Sequence, residues 1–189
     1  MRRALPWLAG ALLVLGTWQV AAASWIHLKG LLAQQLIAAA WQSGRAHGAP
    51  RRPWPGADLR PLARLTFAQR DVTLYVLDDA NPRALAFGPA HVGGTAAPGA
   101  WGNSVIVAHR DTHFAVLRGI AQGDELDVEA LSGRRARYRV REVGIVDRNE
   151  TRVLDAADSP QLTLITCYPF DAVMPGTPWR FVVVADQIA

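Results

Sequence analysis

An all-β domain of about eight strands, a barrel or a sandwich with short helices, preceded by an N-terminal membrane-spanning helix and an amphipathic helix, is the fold class predicted for this chain of 189 residues. Three observations carry it. Beyond about residue 62, short apolar or alternating runs follow one another at strand length with turn residues between them, as in barrels and sandwiches. Ahead of them stands a charge-free run long enough to cross a bilayer, and between the two lies a stretch whose apolar residues recur at helical spacing.

Taken in order, Arg2 and Arg3 precede a run from Ala4 to Trp25 without a charged residue, with Trp7, Trp18 and Trp25 suited to the membrane interfaces. At about 20 residues per bilayer crossing this run spans a membrane once, so residues 1–25 read as a retained signal anchor. A cleaved signal peptide is the competing reading, because Ala21-Ala22-Ala23-Ser24 offers a small-residue cleavage site. Arg2 and Arg3 on the cytoplasmic side would put the rest of the chain on the outer, periplasmic side of the inner membrane, although Lys29, Arg45, Arg51 and Arg52 weaken that charge bias.

From Ile26 to Gln42, Leu28, Leu31, Leu32, Leu36, Ala39 and Ala40 share one face of an amphipathic helix, which is expected to end near Ser43-Gly44. The segment 44–61, with Pro50, Pro53, Pro55 and Pro61 around Trp54, reads as an extended linker against the domain. Residues 26–61 are thus helix and linker, and 62–189 the barrel. Removing residues up to about Pro50 is expected to leave a soluble, active domain.

Eight runs read as its strands: Leu62–Phe67, Val72–Leu77, Ala84–Phe87, Ser104–Ala108, Glu125–Glu129, Ala136–Val146, Leu162–Thr166 and Arg180–Ala185. Gly93-Gly94, Pro98-Gly99 and Gly102-Asn103 mark loops between them, and Phe114 to Ile120 reads as a short helix.

Lys and Arg total 20 against 16 Asp and Glu, a formal charge of +4. The arginines are scattered singly or in pairs, without the basic stripe or aromatic ladder that a phosphate backbone requires, so nucleic acid is not expected as a partner. Cys167 is the single cysteine and cannot form an internal disulfide. On the far side of a membrane, where stray thiols tend to become oxidised, an unpaired cysteine invites a functional explanation, although a buried inert thiol is equally open.

Cys167 ends the run Leu162-Thr163-Leu164-Ile165-Thr166, and Tyr168-Pro169 stops the ladder behind it. A strand terminus is rigid and partly exposed, which suits a nucleophile. His109 ends a second apolar run, Ser104-Val105-Ile106-Val107-Ala108, and Arg180 opens a third, Arg180-Phe181-Val182-Val183-Val184. A guanidinium there could donate to an oxyanion, its charge permanent and its donors forked. Taken singly, each has a bland alternative as a structural histidine or a solvated strand-edge arginine. His109 and His113 lie four apart, but a zinc protease places such a pair on a helix with Glu after the first, where this chain has Arg110.

Together, Gly102 to Arg110, the TLxTC run 163–167 and the arginine run 180–183 resemble, in order and context, the signatures of the sortase family. The resemblance covers about Leu62 to Asp186 and extends to the anchor. Gly93-Gly94-Thr95, the run His109 to Phe114 and Cys167-Tyr168-Pro169-Phe170 look most like its proteobacterial subgroup. It implies a closed β-barrel and a cysteine transpeptidase without cofactor or metal. Such an enzyme cuts an exported protein within a C-terminal LPxTG-like sorting motif, holds the acyl part as a thioester, and passes it to an amine acceptor.

Carried over, Cys167 is the nucleophile, His109 the proton carrier and Arg180 the electrostatic helper, while Thr166 and Tyr168 are substrate-binding candidates. The acidic residues Asp147, Glu150, Asp155 and Asp158 do not match the calcium-binding cluster of some sortases. The alternatives are a non-catalytic envelope β-domain that binds a partner and, behind it, a zinc-dependent hydrolase.

Overall fold

The computed structural model describes residues 4–188, and within the N-terminal helix the side chains mainly from Leu32 onward. That helix, α1 (Ala4–His47), runs unbroken where two helices were expected. The expected membrane span over 4–25 rests largely on side chains outside the described residues; among the described residues no helix is long and apolar enough to cross a membrane.

The end of α1 lies beyond Ser43-Gly44, because the two nearby glycines do different work. Gly44 stays helical and lets α1 approach the barrel: a Cβ there would come within 3.1 Å of both Leu131 Cδ1 and the Ala49 carbonyl. Gly48, at φ +70°, is the residue that stops the helix. Behind it the Ala49 amide donates to the Gly44 carbonyl at 3.2 Å, the bond that closes a Schellman motif.

Eight strands follow: β1 (Pro61–Phe67), β2 (Val72–Leu77), β3 (Ala90–His91), β4 (Asn103–Val107), β5 (Glu125–Ala130), β6 (Arg135–Asp147), β7 (Gln161–Tyr168) and β8 (Trp179–Gln187). They close into a barrel in the order β1-β2-β3-β4-β7-β8-β6-β5, with β5 returning to β1. The pairs β2–β3 and β4–β7 are parallel, and the others are antiparallel.

One expected strand is corrected. Ala84–Phe87 is not extended; its first half belongs to a helical turn, α2 (Pro82–Leu85). The local chemistry dictates this: the Asn81 side chain accepts from the Ala84 amide as an N-cap, and Pro82 pre-sets the first turn. The third strand is the two-residue Ala90–His91 instead, too short to show a period. The expected short helix near Phe114 is a 3₁₀ turn, His113–Leu117, which drives Phe114 and Leu117 into the core.

Strand alternation sorts side chains onto two faces. Inside the barrel Leu65, Phe67, Ile106, Tyr138, Leu162, Leu164 and Val183 form the main core. A second cluster joins Ile37 of α1 to Ala57 and Leu59 of the linker, Leu77, Ala84 and Ala90, with Trp54 set edge-on to Phe87. On the outer face of β4, β7 and β8, Val105, Ile165 and Val182 form a third cluster, flanked by Val92, Val107, Val146, Val153 and Val184.

Candidate active site

The outer valine row leads directly to the residues singled out by sequence. Val107 is in register with Ile165, and Ile165 with Val182, so the three lie level on adjacent strands. Two residues further along each strand, on the same face, stand His109, Cys167 and Arg180. Cys167 is directly opposite Arg180 in the β7–β8 ladder. The β4–β7 ladder continues past its last strand pair through the Ala108 amide, which donates to the Ile165 carbonyl at 3.3 Å, and this carries His109 level with Cys167. Neighbouring strands lie about 4.8 Å apart, so Cys167 is flanked by His109 on one neighbouring strand and Arg180 on the other.

His109 is exposed, while Cys167 and Arg180 are half-buried. The backbone around His109 is fixed by the Phe114 amide, which donates to its carbonyl at 3.0 Å. Arg180 Nη1 donates to the carbonyls of Thr177 at 2.9 Å and Trp179 at 2.8 Å. Its Nε and Nη2 have no partner among the described residues and remain available to an incoming oxygen.

Thr166 faces inward with only 2% of its surface exposed, and its hydroxyl donates to the Ala108 carbonyl at 2.8 Å. That bond ties the ends of β4 and β7 together one residue before His109 and Cys167. Tyr168 stacks on Phe181 at 6.2 Å, and Phe170 meets Phe181 edge-on at 5.1 Å, with the Arg118 guanidinium 5.5 Å above the Phe170 ring. These rings wall the inner side of the β7 terminus.

His113 lies in the 3₁₀ turn beyond β4 and is half-buried. Burial first, and the charge of nearby His109 second, hold its imidazole below the ordinary value of 6.5. The chain thus separates His109 from His113, placing the first level with Cys167 and burying the second in the turn beyond, where the charged form is disfavoured. Among the described residues no three His, Cys, Asp or Glu side chains converge as metal ligands would.

The loop between β6 and β7 holds the expected acidic residues apart. Glu150 forms a bidentate pair with Arg152 at 2.9 and 2.7 Å, which pulls its carboxyl down to about 2. A cavity of about 460 Å³ lies beneath this loop, lined by Val146, Val153, Val182 and Val184 among others. It adjoins the valine row. A cavity of about 500 Å³ lies on the far wall, against Arg64, Asp127, Glu129 and Arg135, and contains none of the site residues.

A family model described as Sortase domain matches residues 65–188. The chain belongs to the sortase family. Sortase D of Bacillus subtilis (strain 168) is 28% identical over 116 residues, which cover 61% of this sortase and 58% of that relative, so this sortase spans less than two thirds of the relative's length. Sortase C-1 from Actinomyces oris superposes with a TM-score of 0.59 at 27% identity, over 68% of this chain and 75% of the other. Sortase A from Corynebacterium diphtheriae does so with 0.62 at 25% identity, over 71% and 63%. A sortase D5 of Clostridium perfringens shares the fold over 84% of this chain and 99% of its own, with a TM-score of 0.66 at 18% identity.

Sequence reasoning missed two residues at this sortase's site. Arg110 and Thr177 meet across the β7–β8 loop at 3.1 Å. Their one sequence signal is an arginine directly behind a strand-terminal histidine.

Proposed function

We propose that this sortase is a cysteine transpeptidase in which Cys167 attacks, His109 moves protons and Arg180 steadies developing charge. The observation that carries the reading is the level row of His109, Cys167 and Arg180 on one face of three adjacent strands. A thiolate paired with an imidazolium is the reactive form of such a dyad, and attack needs it held in place.

The Cys167 thiolate adds to the carbonyl carbon of the scissile peptide, forming a C–S bond and a tetrahedral oxyanion. The free Nε and Nη2 of Arg180 suit that oxyanion. As the oxyanion collapses, the C–N bond breaks and the leaving amine takes the His109 proton, which leaves a thioester. An incoming amine then attacks the thioester, His109 takes its proton, and the C–S bond breaks as the new amide forms.

The substrate on this reading is an exported protein with a C-terminal LPxTG-like sorting motif, and the acceptor is an amine. The apolar row Val107, Ile165 and Val182 supplies a floor along which an extended peptide can approach Cys167. Residues 1–25 anchor the chain in the inner membrane with the barrel on the outer side, a reading supported by the charge-free run behind Arg2 and Arg3. Fractionation of the full chain, with protease added to intact spheroplasts, tests the anchor.

Incubating the barrel with a peptide library of C-terminal motifs and trapping the acyl-enzyme by mass spectrometry tests the chemistry. A thioester on Cys167, absent from Cys167→Ala, is expected. An acyl group on any other residue would end the nucleophile assignment.

A further inference from the structure

Arg110 follows His109 directly, and its guanidinium turns towards the protein. Nη2 donates to the carbonyls of Ala172 at 2.7 Å and Met174 at 3.0 Å, and Nη1 donates to Thr177 Oγ1 at 3.1 Å. All three acceptors lie in the loop that leaves β7 just past Cys167 and returns to β8 at Trp179. Thr177 is used twice, because its carbonyl also accepts from Arg180 Nη1 at 2.9 Å. One chain of contacts therefore runs from the end of the histidine strand, through Arg110 and Thr177, to the arginine opposite the cysteine.

We propose that Arg110 and Thr177 are positioning residues of this site: Arg110 fastens the β7–β8 loop to the end of β4, and Thr177 passes that constraint to the Arg180 guanidinium. The proposal rests on the reading of Cys167, His109 and Arg180 given above. The loop needs such a fastening. Val173 is 95% exposed and Met174 74%, so hydrophobic burial does not hold its tip where it stands. A permanently charged fork meeting three oxygens does, and a single ammonium cannot match that geometry. The constraint falls on one side of Arg180, fixing Nη1 and leaving Nε and Nη2 without a partner among the described residues.

The test is single-turnover acylation of Cys167 at saturating concentration of the peptide that wild type acylates best from a C-terminal-motif library. Iodoacetamide alkylation of Cys167 and thermal melting are followed in parallel. Because a displacement of about 1 Å in a catalytic group can cost about 10²-fold, Arg110→Ala is expected to acylate about 10²-fold more slowly, and Thr177→Val about 10-fold more slowly. Thr177→Ser keeps the hydroxyl and should recover the rate, while alkylation and melting stay close to wild type. In the Arg180→Ala background, Arg110→Ala should add little, since it acts through Arg180.

Wild-type acylation in Arg110→Ala overturns the proposal. So does a loss matched by equal falls in alkylation and melting temperature, which would make Arg110 a brace of the fold, and so does a loss that is fully additive with Arg180→Ala. Cys167→Ala separates the two levels: acylation that survives it sinks the nucleophile, whereas an indifferent Arg110→Ala beside a dead Cys167→Ala sinks only the positioning role.

Discussion

His109 and His113 are four residues apart, yet only His109 lies on the row with Cys167, and the two should answer differently to substitution. His109→Ala loses the general acid and base together, a loss of about 10²–10⁴-fold in acylation, while His113→Ala should keep most of the activity. Burial and the neighbouring charge hold His113 below 6.5, so the folded chain binds its proton less readily than the unfolded chain does. Its share of stability is therefore complete above pH 6.5 and is lost as pH falls below that value. An NMR titration should give His113 a midpoint under 6.5 that rises in His109→Gln yet stays below 6.5, because burial is the larger cause. A midpoint at or above 6.5 in the wild-type chain would remove both causes. Arg180→Lys should fail by about 10²–10³-fold in acylation if its fork meets the oxyanion, because an ammonium offers no forked pair of donors. Near-wild-type acylation in the lysine variant would leave it only a charge. The common row of His109, Cys167 and Arg180 was legible as a set of positions because each stands where an apolar run begins or ends. Arg110 and Thr177 were not, since two of Arg110's three partners are backbone carbonyls, which leave no mark on a sequence.

At the scale of elements, strands with a clear period were legible and punctuation was not. Val72–Leu77 is found at the predicted bounds, whereas Asn81-Pro82 turned an apolar run into a helical turn and Gly48 rather than Gly44 ended α1. The second half of α1 was read as amphipathic, but its docking partner was invisible. Ile37 and Trp41 are buried against the barrel, Trp41 faces Tyr75 at 6.2 Å, and Gln34 donates to the Phe87 carbonyl at 2.5 Å. Arg45 pairs with the buried Glu129, which also meets Arg64 and Arg135. Cutting at Pro50 removes all of these contacts, and the cost falls on stability. A large apolar side chain lost from a packed site costs about 3–5 kcal/mol, and in a domain of this size about 1 kcal/mol lowers Tm by roughly 3 °C. A chain beginning at Arg51 should therefore melt at least about 10 °C below one beginning at Ala33, and Trp41→Ala in the longer chain should reproduce much of the difference. Equal melting temperatures would mean that the docked helix contributes nothing.

Over the whole molecule, part of the basic charge is paired with carboxylates. Arg135, Arg137 and Arg139 of β6 stand opposite Glu129, Asp127 and Glu125 of β5, each pair bridged, with Glu129 buried and the other two carboxylates more open. The two more open pairs contribute little stability each, but such pairs favour one register between the two strands. An all-β fold of about eight strands was legible from the number and spacing of the runs, and its closure only from the family resemblance; which strands become neighbours was not, because β4, β7 and β8 meet only through long-range pairing. The site therefore exists only when the whole barrel does. Ile37 of α1 shares a cluster with Leu59 of the linker, Leu77 of β2 and Ala90 of β3, while Arg45 reaches Glu129 of β5, so the end of α1 is tied to the barrel at two places. A chain beginning at Ala33 should accordingly lose three signals at one urea midpoint: the far-UV dichroism of α1, the near-UV dichroism of the packed rings, and acylation of Cys167 by peptide. Far-UV loss ahead of the other two would show that the helix detaches as a separate unit. Acylation lost first, with both dichroism signals intact, would place the weakest point in the β7–β8 loop, whose exposed tip at Val173 and Met174 is tied by Arg110 to the end of β4. Coincidence in the wild-type chain, with early loss of acylation only in Arg110→Ala, would tie the stability of the site to that one guanidinium.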